Sequence, residues 1–483
     1  MEGLRKFPDD RNFRNLSGGI PMKYDLIVIG GGSAGHSAAS TGAKLGLRCA
    51  LVEAPGPLGG LCILRGCMPS KAIIETANRM RAIREAGHFG ITAVTPALDL
   101  PRLRERAGAL LKDFRDYRRH EMEAGGYELI RGTATLVSPH EVELSENKQR
   151  LHGAAIIIAT GSKPDIPEIE GLEGTPYWTS DEMIELPELP ETIAVVGHGA
   201  IGMEAAHLFE GLGSRVTVLV RGERILSHFD RDISRVIEAE SLDRGITFLK
   251  NTEIFHVEHG AGKFHLSLTG RDKLTVDALL IATGRTPNTI GFGFQKVGIA
   301  MDRKRILIDD RCSTSLPHIF AVGDCASPVA VVHLAVIQGA VAARNAGRMI
   351  RNGHSGLSHE WSPETAMTGL FTEPQCVEIG TGVKQAGEKG VPILTGRINY
   401  NDQGKGMIAG SRHGFVKIIA EAATHRIIGA AAAGPEVLET SHVVQVAISR
   451  GMTLEEFAAV PHYHPTLVEA WASAAEEALS GEE

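Results

Sequence analysis

Two stretches of this chain repeat one arrangement: an apolar strand runs into a glycine-rich turn, which opens a helix of small residues. In the first, Tyr24-Asp25-Leu26-Ile27-Val28-Ile29 leads into Gly30-Gly31-Gly32-Ser33-Ala34-Gly35 and then His36-Ser37-Ala38-Ala39. In the second, Thr192-Ile193-Ala194-Val195-Val196 leads into Gly197-His198-Gly199-Ala200-Ile201-Gly202 and then Met203-Glu204-Ala205-Ala206. Both match G-x-G-x-x-G after a strand and before a helix, the setting that gives the spacing its meaning. The first glycine makes the tight turn, the second lets a pyrophosphate approach the backbone, and the third lets helix and strand pack closely. The helix N-terminus then stabilises the phosphate charge. One such loop alone could be an ordinary turn. Two in strict context predict two nucleotide sites, built on Gly30, Gly32 and Gly35 and on Gly197, Gly199 and Gly202.

The strand that follows each loop tells the two sites apart. Arg48-Cys49-Ala50-Leu51-Val52-Glu53 ends on a carboxylate 23 residues after Gly30, where an acid can bind free ribose hydroxyls. The corresponding strand Arg215–Val220 ends on an apolar residue, followed by Arg221-Gly222-Glu223-Arg224. Arg221 and Arg224 stand where a 2′-phosphate could be received, which leans the second site toward NADP; a solvated basic turn is the alternative. Other apolar runs end in Ala159-Thr160-Gly161 and Ala282-Thr283-Gly284, which read as the connections into and out of an inserted second nucleotide domain. A further one ends in Gly323-Asp324, placing Asp324 where it can reach a cofactor hydroxyl. From about residue 360 the pattern changes to strand-like runs, Phe415–Ile419 and His425–Gly429, and then a helical stretch.

Between the loops lies Gly59-Gly60-Leu61-Cys62-Ile63-Leu64-Arg65-Gly66-Cys67-Met68-Pro69-Ser70-Lys71. Two thiols so spaced, downstream of a nucleotide loop, suggest a disulfide that opens and closes during turnover, with a flavin as its redox partner. A thiolate is the reactive form, and its fraction rises near positive charge or a helix N-terminus; Pro69 favours a helix start here. The other cysteines (49, 312, 325 and 376) are scattered and read as buried and inert, not as a secreted disulfide scaffold.

These residues closely resemble the pyridine nucleotide–disulfide oxidoreductases, the family of dihydrolipoamide dehydrogenase, glutathione reductase and mercuric reductase. The resemblance covers nearly the whole chain after residue 22. It rests on the first glycine loop with Glu53, C-x4-C-M-P-S-K, both A-T-G motifs, the second glycine loop with Glu204, the V-G-D segment, and His462-Tyr463-His464-Pro465-Thr466-Leu467-Val468-Glu469. It implies an α/β fold with two Rossmann-like three-layer domains and a C-terminal α+β dimerisation domain. The expected division is residues 23–155 and 285–350 for FAD, 156–284 for NAD(P), and 355–483 for the interface. FAD would use Gly30, Gly32, Gly35, Glu53, Lys71, Thr160, Gly161 and Asp324. NAD or NADP would use Gly197, Gly199, Gly202, Arg221, Arg224 and Gly284.

The resemblance also assigns catalytic roles. Cys67 is the thiolate facing flavin, Cys62 exchanges with substrate, and Lys71 pairs with Glu204, since a buried ammonium needs such a partner. His464 and Glu469 match the family's imidazole–carboxylate pair. Imidazole can take the proton of an incoming thiol while the carboxylate fixes its tautomer. His462 reads as structural. In the family this pair reaches the other subunit's disulfide, which implies a two-fold homodimer.

Several positions depart from the family pattern. Leu64 stands where Asn is usual, Ala200 replaces a bulkier residue beside the nicotinamide pocket, and Val220 stands where NAD-using lipoamide dehydrogenases carry Glu. The leading expectation is a dihydrolipoamide dehydrogenase-like enzyme acting on a dithiol or disulfide, with a lipoyl carrier domain as a candidate partner. Mercuric and large thioredoxin reductases are disfavoured, because the last cysteine is Cys376. An NADPH-dependent reductase of glutathione or another small disulfide is the first alternative; a slow flavoprotein that docks lipoyl carriers is the second.

Composition excludes other classes. Net charge of −8 leaves no basic stripe to neutralise nucleic-acid phosphates. No apolar run approaches the roughly 20 residues that span a bilayer, and no metal site is indicated. Residues 1–22 lack the apolar core of a signal peptide. They read as a disordered extension with Met22 a plausible start, and the expected compartment is the cytoplasm.

Overall fold

The computed structural model describes residues 24–352 and 358–481, so the expectation for residues 1–22 lies outside the described residues. The chain divides into two compact units. One holds residues up to Gly60, Tyr117–Ser162 and Pro287–Trp361; the other holds Leu61–Asp116, Lys163–Thr286 and the chain from Ser362 onward.

In the first unit, strands β1 (Tyr24–Ile29), β2 (Cys49–Glu53), β3 (Glu128–Arg131) and the far end of β6 (Arg150–Ile158) form a parallel sheet, joined by β18 (Ile319–Ala321). β1 and β2 are near-continuous apolar runs, as strands covered on both faces must be. Helix α1 (Ser33–Lys44) is made almost wholly of small residues, and α8 (Val332–Asn352) packs against it at backbone range. A Cβ on Gly339 would meet the Ala34 carbonyl oxygen at 2.2 Å.

The expected boundary at 155/156 lies inside β6, whose Ile156–Ile158 pair with Ile27–Ile29 and with Ile319–Ala321. β6 serves two pairings: its first residues run antiparallel to β5 (Glu141–Leu144), its last parallel to β1. Past β6 the chain leaves the first unit after Ser162, through β7 (Ser162–Pro164), and returns through β15 (Arg285–Pro287), which pairs with β7. Each A-T-G segment directly precedes one strand of this ribbon.

In the second unit, β8 (Thr192–Val196), β9 (Arg215–Val220), β10 (Thr247–Lys250) and β14 (Ala278–Ile281) form a parallel sheet in the order β10-β9-β8-β14. Residues 61–116, expected with the FAD domain, cluster here instead. The reason is α3 (Cys67–Glu85), which lies against α6 (Ala200–Leu212) so closely that a Cβ on Gly211 would meet the Ala77 methyl at 2.8 Å. The C-terminal part is an antiparallel sheet in the order β19 (Met367–Leu370), β20 (Gln375–Gly380), β23 (Ile427–Gly434), β22 (Phe415–Glu421), β21 (Ile393–Asn399). The strand expected at 425–429 begins later, because His425 has φ +54° and turns the chain before Ile427. Helix Glu469–Ser480 covers this sheet with Trp471, Ala474, Ala475 and Ala478 fully buried.

Candidate active site

Both glycine loops have the shape that a pyrophosphate needs, and the test is what a methyl group would meet. Gly30 (φ +101°) lies against the Ala159 carbonyl at 2.4 Å from a built Cβ, and Gly35 against the Gly30 carbonyl at 1.8 Å. Gly197 (φ +118°) and Gly202 repeat this against the carbonyls of Ala282 at 2.3 Å and Gly197 at 2.2 Å. Fold geometry alone requires these four. The middle glycines differ: Gly32 has its nearest atom at 3.9 Å and Gly199 has none within 4 Å. Each is also the N-cap of its helix, α1 or α6, with no side-chain cap and no acid in the first turn. Free N–H donors facing open space suit a phosphate, so the residues present fit one dinucleotide in each loop.

Around the first loop, Glu53 accepts the Gly31 N–H at 2.5 Å. Burial raises its carboxyl above the ordinary range, against that hydrogen bond and the charge of Arg131. Asp324, in a short turn after β18, accepts the Ser162 hydroxyl at 2.6 Å. The Gly161 carbonyl is taken by the Asn288 N–H at 2.9 Å, and the Thr160 carbonyl by the Asn288 side chain at 3.4 Å. Gly284 (φ +136°), at the end of the inserted sheet, accepts the Asp165 N–H at 3.0 Å.

Cys62 lies in α2 (Gly60–Arg65), and Cys67 opens α3, with Pro69 in its first turn. Both are half-buried, whereas Cys49, Cys312, Cys325 and Cys376 are buried. Burial pushes the thiol pKa of each of those four up, that of Cys49 to about 12. Cys67 moves the other way, from 9.0 to about 7: the hydrogen bond from Cys62, then the Lys71 charge, outweigh its burial. The Lys71 ammonium donates to both Glu204 oxygens at 3.0 and 2.8 Å. Sequence reasoning missed Phe371, whose N–H donates to Glu204 Oε1 at 2.9 Å and whose ring centroid is 4.7 Å from Lys71 Nζ. It also missed Ser162. Neither belongs to a motif, and only the fold brings them to their partners.

His464 Nδ1 lies 2.8 Å from Glu469 Oε1, and the Thr466 N–H donates to Glu469 Oε2 at 2.7 Å. Those two contacts, backbone first, hold the Glu469 pKa below the ordinary range. The His464 ring is 80% exposed, free to present its other nitrogen to a substrate or a second protomer. His462 contacts the Val460 carbonyl and the Phe457 ring.

The two arginines of the second site have different fates. Arg224 donates to the carbonyls of Phe229 and Ser227 and to Ser234 Oγ in the following helix, at 2.9, 2.6 and 3.0 Å, so three of its five N–H donors are engaged within the protein. Arg221 is 83% exposed, with Glu253 4.0 Å away. Burial, then the charges of His228 and Arg221, lower the pKa of His198 within the loop. Among the described residues no cluster could hold a metal ion, and no helix is long and apolar enough to cross a membrane.

Comparison with known proteins agrees with this layout. Residues 24–347 match the model described as pyridine nucleotide-disulphide oxidoreductase, and residues 366–475 match the dimerisation domain of the same description, which supports a homodimer. A dihydrolipoyl dehydrogenase of Chlamydia muridarum is 31% identical over 94% of this chain and 96% of its own. A mercuric reductase of Streptomyces lividans is 32% identical over the same shares. The HOCl-induced flavoprotein disulfide reductase RclA of Escherichia coli superposes with a TM-score of 0.80 at 26% identity, over 94% of this chain and 99% of that one.

Proposed function

The chain belongs to the pyridine nucleotide–disulphide oxidoreductase family, and from that premise we propose that it works as a dihydrolipoamide dehydrogenase. As a member it is an NAD(P)-dependent flavoprotein disulfide oxidoreductase. The observation that carries the finer reading is the exposed His464–Glu469 pair, with both Glu469 oxygens engaged and one imidazole nitrogen free. FAD, when bound, takes up and returns two electrons, and so links the coenzyme to the cysteine pair. The chain's own residues do the rest.

An incoming dithiol gives a proton to His464, and its thiolate attacks Cys62, releasing Cys67 as a thiolate. The second substrate thiol then displaces Cys62, and substrate leaves as its disulfide. Two electrons and two protons have passed to the enzyme. The Lys71 charge favours Cys67 as the leaving thiolate, since a lower pKa leaves faster, and the Cys62 thiol adds its hydrogen bond once substrate has left. Glu204 keeps the Lys71 ammonium from standing uncompensated.

One steady-state panel tests this reading: dihydrolipoamide with NAD+ and with NADP+, and oxidised glutathione with NADPH. Lipoamide turnover is the expected result, and its absence with both coenzymes would sink the proposal. Glutathione turnover alone would select the small-disulfide alternative.

For the coenzyme we propose NADP(H), supported by Arg221 at the strand end where an acid would favour NAD. Arg221→Gln is expected to raise the KM for NADPH about tenfold while leaving that for NADH unchanged. Equal effects on the two coenzymes would remove the 2′-phosphate role.

A further inference from the structure

Helix α6 sends two side chains to one stretch of backbone. Glu204 accepts the Phe371 N–H, and one turn later the buried His207 meets Glu373. His207 Nε2 lies 2.9 Å from Ser241 Oγ, and its Nδ1 lies 3.1 Å from the Glu373 backbone nitrogen. The tautomer follows by elimination. Ser241 has one hydroxyl proton, and its Oγ donates to the Ile237 carbonyl at 2.6 Å. Toward the imidazole it must therefore accept, so Nε2 carries the ring proton and Nδ1 is left as an acceptor. An acceptor is what the Glu373 N–H requires. Burial, then the charges of Arg244 and Arg81, hold the ring's pKa well below its ordinary value and keep it neutral.

Segment 371–373 thus hangs from α6 at two points, and it carries the ring that lies against the Lys71 ammonium. The Thr372 hydroxyl stiffens it further by donating to the Pro374 carbonyl at 2.8 Å. We propose that His207 is a positioning residue for the redox centre: by accepting the Glu373 N–H it fixes segment 371–373, and through Phe371 the Lys71–Glu204 pair. This rests on the reading of Lys71–Glu204 as the charge pair that serves the flavin.

Two substitutions separate this role from mere packing, each tested in the FAD-loaded full chain. In His207→Asn the side-chain oxygen replaces Nδ1 and keeps the acceptor for Glu373. In His207→Gln the longer amide reaches toward Ser241 and leaves the Glu373 N–H unpaired, so both variants lose one buried hydrogen bond. Single-turnover reduction of bound flavin by NAD(P)H is expected to slow about tenfold in His207→Gln, with coenzyme KM within about twofold of wild type. His207→Asn is expected to stay within about threefold. Amide hydrogen exchange over 371–375 should quicken in the Gln variant and not in the Asn variant.

Equal behaviour of the two variants in rate and exchange would overturn the proposal. If the Gln variant does not fold, Phe371→Leu, at a residue 38% exposed, tests the same link. It should slow flavin reduction by a similar factor, and a wild-type rate there would also overturn the proposal. A wild-type enzyme showing no flavin reduction by NAD(P)H would instead refute the functional reading itself.

Discussion

Cys67→Ser is expected to abolish the long-wavelength charge-transfer absorption of the two-electron-reduced enzyme and to lower disulfide turnover at least about a thousandfold. Cys62→Ser should lose turnover to the same extent yet keep the band. The asymmetry follows from the environment: Cys67 opens α3, near Lys71, while Cys62 donates the hydrogen bond that most lowers the Cys67 pKa. The band reports thiolate, so its sign with pH is fixed. It is weak at pH 6, rises through about 7, and is near full strength by pH 8, whereas an ordinary cysteine would still be largely protonated at pH 8. Cys62→Ala removes the hydrogen-bond donor and should move this midpoint upward. A band that survives in Cys67→Ser would contradict the assignment of roles.

His464→Gln is expected to reduce dihydrolipoamide turnover by about 10²- to 10³-fold while leaving reduction of a one-electron dye by NAD(P)H untouched. The side chain is exposed and held by Glu469, so its loss removes a proton acceptor without opening a cavity. A mixed dimer tests which protomer it serves. One subunit carries His464→Gln and the other Cys62→Ser, so each chain is inactive alone. If the imidazole acts on the partner's disulfide, one of the two sites is wild type and the mixed dimer regains about half the activity. If it acts within its own chain, both sites remain broken and no activity returns.

Much of this was legible because the chemistry is written locally. Each glycine loop follows its strand directly, and the cysteines share one run of residues with Lys71. The Lys71–Glu204 pair, 133 residues apart, could be read only because both partners belong to recognisable motifs. Phe371 and His207 could not. Their roles depend on backbone donors presented by a segment far away in sequence, and on a tautomer that Ser241 dictates. Arg224 shows the opposite limit. A cation in the right place suggests a phosphate, while the fold engages three of its five donors with nearby oxygens that no motif announces. Nor does the sequence show that one strand, β6, runs through the expected 155/156 boundary, serving an antiparallel pairing at one end and a parallel one at the other.

The open middle glycines carry a consequence for how this sequence tolerates change. Gly32 and Gly199 have φ of −67° and −83°, which any residue adopts, and no atom lies within 3.9 Å of a methyl added at either. A library sorted for foldedness would retain alanine at both positions and discard it at Gly30, Gly35, Gly197 and Gly202. Sorted for turnover, the same library would discard it at all six. The difference between the two sorts would mark where the dinucleotides bind, because at these two positions selection answers to the ligand and not to the polypeptide.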